Sequence, residues 1–202
     1  MALEDQLDAP DYYDRDAEAF AERYDSVGFE AVHPLLARYL PERGHVLDVG
    51  AGSGRDARAM AARGLKVLAA EPSAGLRAIA SARSPGVTWV DDRLPRLLLI
   101  TGTGQRFDFI LCSAVLMLVP PSALPPSFAS LSALLAADGR LALNVRAPRP
   151  DEPAELFFDH TDAAILAAAR AAGLACIDRD EANDAIGRDD YHWRSFVFEL
   201  SP

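Results

Sequence analysis

The fold is decided by Val46-Leu47-Asp48-Val49-Gly50-Ala51-Gly52-Ser53-Gly54-Arg55-Asp56-Ala57. An apolar run gives way to three glycines at alternating positions, and a segment with helical spacing follows. That pattern is a buried strand, a tight turn and the first turn of a helix. The glycines permit positive φ and remove every Cβ that would hold a ligand off the backbone. The free N–H groups of the helix start then face whatever sits above the turn. A dinucleotide fingerprint, G-x-G-x-x-G, needs its third glycine for close helix–strand packing. Gly50 and Gly52 fit it, but Arg55 occupies the third position and the extra glycine is Gly54. The spacing is instead Asp48-x-Gly50-x-Gly52-x-Gly54.

Working downstream, a helix over 54–63 is closed by Gly64, and a second strand over 66–70 ends at Glu71-Pro72-Ser73. A helix over 73–83 leads to a third strand at 87–90, which ends in Asp91-Asp92. Residues 95–105 read as a short helix and then a Gly-rich loop. The fourth strand, 107–113, is almost continuously apolar, as expected of a central parallel strand covered on both faces. A helix carrying Phe128, Leu131, Leu134 and Leu135 is closed by Asp138-Gly139, and a fifth strand spans 140–145. A polar, Pro-rich loop over 146–159 precedes a helix with Thr161 as its N-cap. Two last strands, 174–180 and 193–200, are joined by polar residues without helical period, so they can pair antiparallel.

Upstream, residues 1–11 read as a mobile acidic tail. Tyr13, Ala17, Phe20, Tyr24 and Val27 recur at helical spacing, which predicts one amphipathic helix ended by Gly28. A second helix is expected over about 32–40, with Pro34 in its first turn. Alternating strands and helices imply a doubly wound α/β sheet with right-handed crossovers. We read 1–202 as a single domain, with 1–42 as an N-terminal helical lid and 43–202 as the α/β core.

The 202 residues are 50% hydrophobic and 25% charged, enough for one domain with a sizeable core. Net charge is −10, and residues 1–30 hold ten acids against Arg15 and Arg23. Such an acidic balance disfavours a phosphate-binding surface, so no nucleic-acid partner is expected. Cys112 and Cys176 lie inside apolar runs, which predicts two buried thiols, a reducing compartment and no metal site. No signal peptide is read at the start, and the longest apolar stretch, 109–121, is too short to span a bilayer. The expected location is therefore cytoplasmic, with no membrane partner, as a monomer or homodimer.

In an open α/β sheet, ligands bind beyond the carboxyl ends of the strands, near the point where strand order reverses. Those ends are the glycine turn, Glu71, Asp91-Asp92 and Ser113. Glu71 lies 21 residues after Gly50, where a carboxylate can accept both hydroxyls of a ribose. Asp91 or Asp92 can accept from an adenine amino group.

In their order along the chain, VLDVGAGSGRDA, VLAAEPS, VTWVDDRLP, FDFILCSAVLMLVPP and LLAADGRLAL resemble the class I S-adenosylmethionine (SAM) dependent methyltransferases of small bacterial type. GRDARAMAARGLKV and DFILCSAVLMLV are similar to the tellurite-resistance methyltransferases, too loosely to carry that substrate over. The resemblance implies a seven-stranded, mostly parallel Rossmann-like sheet with an antiparallel last strand. It also implies S-adenosyl-L-methionine as cofactor and a small-molecule methyl acceptor. Asp48, Gly50, Gly52 and Gly54 would surround the methionine moiety, with Ala51 and Pro72 beside them on the same turns. Glu71 would hold the ribose, Asp91 and Asp92 the adenine, and the Ser113 backbone the methionine amino group. Arg55 would reach the methionine carboxylate or a substrate anion, and Tyr13 would close over the sulfonium.

Many relatives carry a histidine a few residues after the fourth strand, where this chain has Leu118. No catalytic residue is therefore named. No Asn/Asp-Pro-Pro-aromatic tetrapeptide, Pro-Cys pair or terminal acid follows that strand, which disfavours base amines, cytosine C5 and metal-bound catechols as acceptors. Tyr12, Arg146 and His160 are weaker candidates for substrate contact. His33 and His45 precede the first strand and read as surface or packing residues. His192, Trp89, Trp193 and Tyr24 are assigned to the framework. Two rival readings are a SAM- or nucleotide-binding module without turnover, and an NAD-dependent oxidoreductase, which Arg55 disfavours.

Overall fold

In the computed structural model, which describes residues 8–188 and 191–201, seven strands form one sheet. They are β1 (His45–Val49), β2 (Lys66–Ala70), β3 (Thr88–Val90), β4 (Phe107–Ser113), β5 (Leu135–Val145), β6 (Leu174–Asn183) and β7 (His192–Leu200). The order is β3-β2-β1-β4-β5-β7-β6. Every pair from β3 through to β5 is parallel, while β7 runs antiparallel between β5 and β6. Strand order reverses between β1 and β4, so the glycine turn leaves the sheet at the switch point.

Side chains alternate across each strand and build one core on each face. On β4, Phe107, Ile110 and Cys112 join Leu47 and Val49 of β1, with α7 (Leu124–Leu134) and α8 (Asp162–Ala171) over them. Phe109 and Leu111 join Val46, with α3 (Phe29–Val32) and α4 (Arg55–Ala62) on that side. A fully buried Leu or Phe stabilises by roughly 1.5–3 kcal/mol, so the two clusters fix the helices on both faces of the sheet. Further helices are α5 (Ala74–Arg83), capped by Ser73, and α6 (Leu98–Thr101). None of the helices among the described residues is long and apolar enough to cross a membrane.

Several expectations need correction. Residues 9–11 are not tail but belong to α1 (Ala9–Asp14), capped by the Asp8 carboxylate, which accepts the Asp11 N–H at 3.0 Å. The tail expected over 1–7 lies outside the described residues. The single amphipathic helix is two, because Asp16 leaves helical geometry at φ −150° and ψ 50° before α2 (Ala17–Asp25). Pro34 does not start a helix over 32–40. It holds the residue before it out of the α region, so α3 stops and His33 takes φ −125° and ψ 54°. A short 3-10 turn at Leu36–Tyr39 follows.

Asp138-Gly139 does not close α7. That helix ends at Leu134, and β5 absorbs 136–139 as a register shift against β4. Glycine is needed there because a Cβ on Gly139 would sit 2.7 Å from the Phe107 carbonyl oxygen. Only Cys112 is a buried thiol. Cys176 is exposed, because the edge strand β6 turns one face to solvent.

Candidate active site

The carboxyl ends of β1, β2, β3, β4 and β5 open into a cavity of about 530 Å³, roofed by α1 and α2 and closed on one side by the β6–β7 hairpin. Gly50, Gly52 and Gly54 take φ values of +66°, +55° and +77°. A Cβ on Gly50 would lie 2.4 Å from Val115 Cγ2, whereas one on Gly52 would meet only the Tyr24 ring at 3.7 Å. Gly50, Ala51 and Gly52 line the cleft. Gly54 does not: it faces backwards, where a Cβ would strike Trp89 at 2.9 Å and Ala80 at 3.1 Å. Its glycine serves packing of the turn on α5.

Glu71, one residue past β2, is held at both oxygens. Oε2 accepts the Gly52 N–H at 2.7 Å and Oε1 accepts the Ser73 N–H at 2.8 Å. Each oxygen keeps lone-pair capacity for a further donor. Burial pushes this carboxyl up to about 7, against the two N–H bonds and the Arg77 charge that favour the anion. Pro72 lines the cleft beside it. At the tip of β3 the two acids part company. Asp92 lines the cleft and caps the next turn, accepting from the N–H groups of Leu99 and Ile100 at 2.9 and 3.0 Å. Asp91 points outward to Arg77 at 3.2 Å and does not line the cleft. Successive residues of an extended chain face opposite ways, which is why only one of the pair reaches the cavity.

Asp48 is also placed elsewhere than expected. It shares the β1 face of Val46, so its carboxylate lies beneath the turn on the α4 side, 1% exposed and outside the cleft lining. Its Oδ2 has no hydrogen-bond partner. Burial, and then the nearby Asp56 and Glu71 charges, push its proton affinity well above the carboxylate range, against the pull of Arg55. Next to it runs a buried network. His33 Nε2 donates to Asp56 Oδ2 at 2.9 Å, and Arg55 donates to both Asp56 oxygens at 2.6 and 2.8 Å. On the other side, Asn144 Nδ2 lies 3.4 Å from His33 Nδ1. Asn144 Oδ1 accepts from Ser113 Oγ at 3.1 Å and from the Ala114 N–H at 2.8 Å. Burial alone would raise the Asp56 proton affinity, but His33 and Arg55 hold it far below the ordinary range. Ala114, pinned by Asn144, takes φ +57° at the tip of β4, a strained conformation of the kind that collects at functional sites. Ser113 and Arg55 both line the cleft, and Arg55 also donates to the Tyr24 carbonyl at 3.3 Å.

The roof is tied at both ends. The Asp14 carboxylate accepts from Ser73 Oγ and, at 2.8 Å, from the Gly75 N–H. Asp25 accepts from Ser53 Oγ and Arg58, each at 2.7 Å. Between these ties Tyr12, Tyr13, Phe20 and Tyr24 pack edge to face or tilted, with centroids 5.0–6.0 Å apart. Tyr13 and Tyr24 line the cleft, and burial raises both hydroxyls, Tyr24 to about 12. Tyr12 instead packs on Phe157 at 5.6 Å, away from the cavity.

At the far end, Arg146 follows β5 and lines the cleft. His160 does not: its Nε2 lies 3.0 and 2.9 Å from the carbonyls of Leu116 and Val119, clamping the loop after β4. Sequence reasoning missed Tyr24, Asn144, Asp184, Arg188, Tyr191 and Trp193, all of which line the cleft. The one local signal was the four-residue spacing of Asp184 and Arg188, which form a bidentate pair at 2.9 and 2.6 Å.

Residues 15–179 match the model of a methyltransferase domain family. A comparison with curated proteins returned no match. Among solved structures, the chain is similar to a TehB-like SAM-dependent methyltransferase from Corynebacterium glutamicum, at 19% identity and TM-score 0.71, over 93% of this chain and 99% of that one. It is also similar to the 1,6-didemethyltoxoflavin-N1-methyltransferase of Burkholderia thailandensis, solved with 1,6-didemethyltoxoflavin and S-adenosylhomocysteine. That match has 22% identity and TM-score 0.66, over 99% and 94% of the two chains. A third is the magnesium protoporphyrin IX methyltransferase of Synechocystis with bound SAM, at 19% identity and TM-score 0.65, over 98% and 86%.

Proposed function

The chain belongs to the methyltransferase domain family, and we propose that it is a SAM-dependent enzyme that methylates a small molecule, with the cleft residues dividing that task as follows. The Gly50–Gly52 turn and Ala51 would take the methionine portion against bare backbone, and Glu71 would accept the two ribose hydroxyls. Asp92 would meet the adenine edge, with Pro72 against the ribose. The Ser113 carbonyl would accept from the methionine amino group, and Arg55 would meet its carboxylate. The fit rests on this structure: a positive-φ glycine turn that presents bare backbone to the cleft, and a carboxylate aimed by two backbone N–H bonds. Asp91, Asp48 and Gly54 would act only through the shape of the turn and the strand tips.

Bound SAM supplies a methyl group activated on a sulfonium. The protein's part is to orient the acceptor in line, exclude water and offer aromatic faces near the positive charge, which Tyr13 and Tyr24 are placed to do. No histidine lines the cleft among the described residues. Both tyrosine hydroxyls hold their protons at neutral pH, so they would donate hydrogen bonds and not act as bases. Positioning alone can supply on the order of 7–11 kcal/mol in favourable cases. We further propose a cytoplasmic, single-domain monomer or homodimer with no nucleic-acid partner, in which the lid expected over 1–42 narrows to α1 and α2, because Phe29, Leu35 and Leu36 are part of the core on one face of the sheet.

The observation that carries this reading is Glu71, with both oxygens anchored beside the glycine turn. Calorimetry with SAM and S-adenosylhomocysteine should give micromolar dissociation constants, weakened by Glu71→Ala. Absence of binding for both would overturn it. A screen of acceptors that reads S-adenosylhomocysteine release would then identify the substrate.

A further inference from the structure

We propose that Asn144 is a positioning residue for the amino-acid end of the cofactor: it aims the Ser113 carbonyl at the amino group and, through His33 and Asp56, sets Arg55 for the carboxylate. The inference rests on the reading of the cleft as a SAM site. Asn144 stands next to Ser113 in the β4–β5 ladder and lines the cleft, although it is only 2% exposed. Its Oδ1 accepts the Ala114 N–H at 2.8 Å, and the Asn144 backbone carbonyl lies 3.2 Å from the same nitrogen. That N–H belongs to the same rigid peptide unit as the Ser113 carbonyl, and in a trans peptide the two groups point opposite ways. With the N–H turned to β5, the carbonyl is turned toward β1 and the glycine turn. Ser113 lies two residues past the last β1–β4 pair, Asp48 with Leu111, so that ladder has ended and a ligand's donor can meet the carbonyl. Ala114 takes φ +57°, a strained conformation that relaxes unless its surroundings hold it.

The other end of the amide faces the buried network. A backbone N–H can only donate, so the atom facing Ala114 is the oxygen, and the –NH₂ group faces His33 Nδ1 at 3.4 Å. His33 Nδ1 is thereby an acceptor, which puts the ring proton on Nε2, where Asp56 Oδ2 takes it at 2.9 Å. Asp56 in turn holds Arg55 through both of its oxygens, at 2.6 and 2.8 Å. One amide therefore joins the tip of β4 to the first residue of α4. The adenosine end is held by other groups: Glu71 by the N–H groups of Gly52 and Ser73, and Asp92 by those of Leu99 and Ile100. Loss of the Asn144 amide should thus be felt at one end of the ligand only.

The test is calorimetry on the full chain with S-adenosylhomocysteine and with 5′-methylthioadenosine, which keeps the adenosine and the sulfur but lacks the amino-acid portion. Asn144→Ala should weaken S-adenosylhomocysteine about tenfold and 5′-methylthioadenosine by less than about twofold. Asn144→Leu, which keeps the volume without the hydrogen bonds, replaces it if the alanine variant fails to fold. Equal weakening of both ligands would make Asn144 structural only and overturn the proposal, as would unchanged affinity for S-adenosylhomocysteine. A readout that needs no variant is the His33 ring. Long-range 1H–15N correlations should show its proton on Nε2, and a proton on Nδ1 would overturn the link to Arg55. Failure of the parent chain to bind S-adenosylhomocysteine overturns the cofactor reading instead, which separates the two outcomes.

Discussion

Glu71 reaches across the glycine turn to accept the Gly52 N–H at 2.7 Å, tying the tip of β2 to the exit of β1. The bond aims the carboxylate into the cleft, yet burial pushes its pKa from 4.5 to about 7. Only the anion can accept from two ribose hydroxyls, so binding draws a proton off Glu71. S-adenosylhomocysteine affinity should therefore rise about tenfold between pH 6 and pH 8, and Glu71→Gln should both weaken it and flatten the profile. Without ligand the sign is opposite. A carboxyl raised above its unfolded value favours the fold at low pH, and that contribution is lost as pH climbs from about 4.5 through 7.

Gly50 and Gly52 should separate stability from binding. Gly50→Ala combines positive φ with a Cβ placed 2.4 Å from Val115 Cγ2, so it should cost about 1–3 kcal/mol in urea unfolding. Val115→Ala in that background should recover only the steric share. Gly52→Ala has room beside Tyr24, and should cost less stability while weakening S-adenosylhomocysteine binding more.

Asp56→Asn leaves Arg55 and His33 buried with their charge partner gone, and should destabilise by about 3–5 kcal/mol. Asp56 is held below its ordinary value of 3.8 by those partners, so its contribution is present above that pH and lost as pH falls through the folded value. The variant should show a shallower loss of stability in acid, read by urea midpoints at successive pH values.

The roof should tighten on binding. Its ties at Asp14 and Asp25 are few and stand at the ends of α1 and α2. Hydrogen exchange over 11–28 should slow when S-adenosylhomocysteine is added, and Asp14→Ala should exchange faster than the parent chain only in the free form. Equal protection of the parent chain with and without ligand would make α1 and α2 permanent structure.

Much of this molecule was legible before folding. The spans of β1, β2 and β4 follow from apolar runs bounded by glycines and acids, and Thr161 caps the helix it precedes. The errors lie where a local signal competes with a neighbour. Pro34 looks like a helix start, yet its effect on His33 breaks the backbone and turns that ring toward Asp56. Asp138-Gly139 looks like a helix stop, but Gly139 is there because the Phe107 carbonyl comes close.

The sequence by itself determined the strand–helix alternation, the positive-φ glycine turn and the acids at the strand tips, because period and backbone freedom are properties of neighbouring residues. Only the tertiary structure decided which of those groups face the cleft. Asp48 and Asp91 turn away, Glu71 and Asp92 turn in, and His33 meets Asn144 across 111 positions of chain. The Arg146, Tyr191 and Trp193 wall forms only when β7 returns beside β5. Pairing between side chains so far apart leaves no periodic trace, since it depends on how the sheet closes and not on what stands next along the chain.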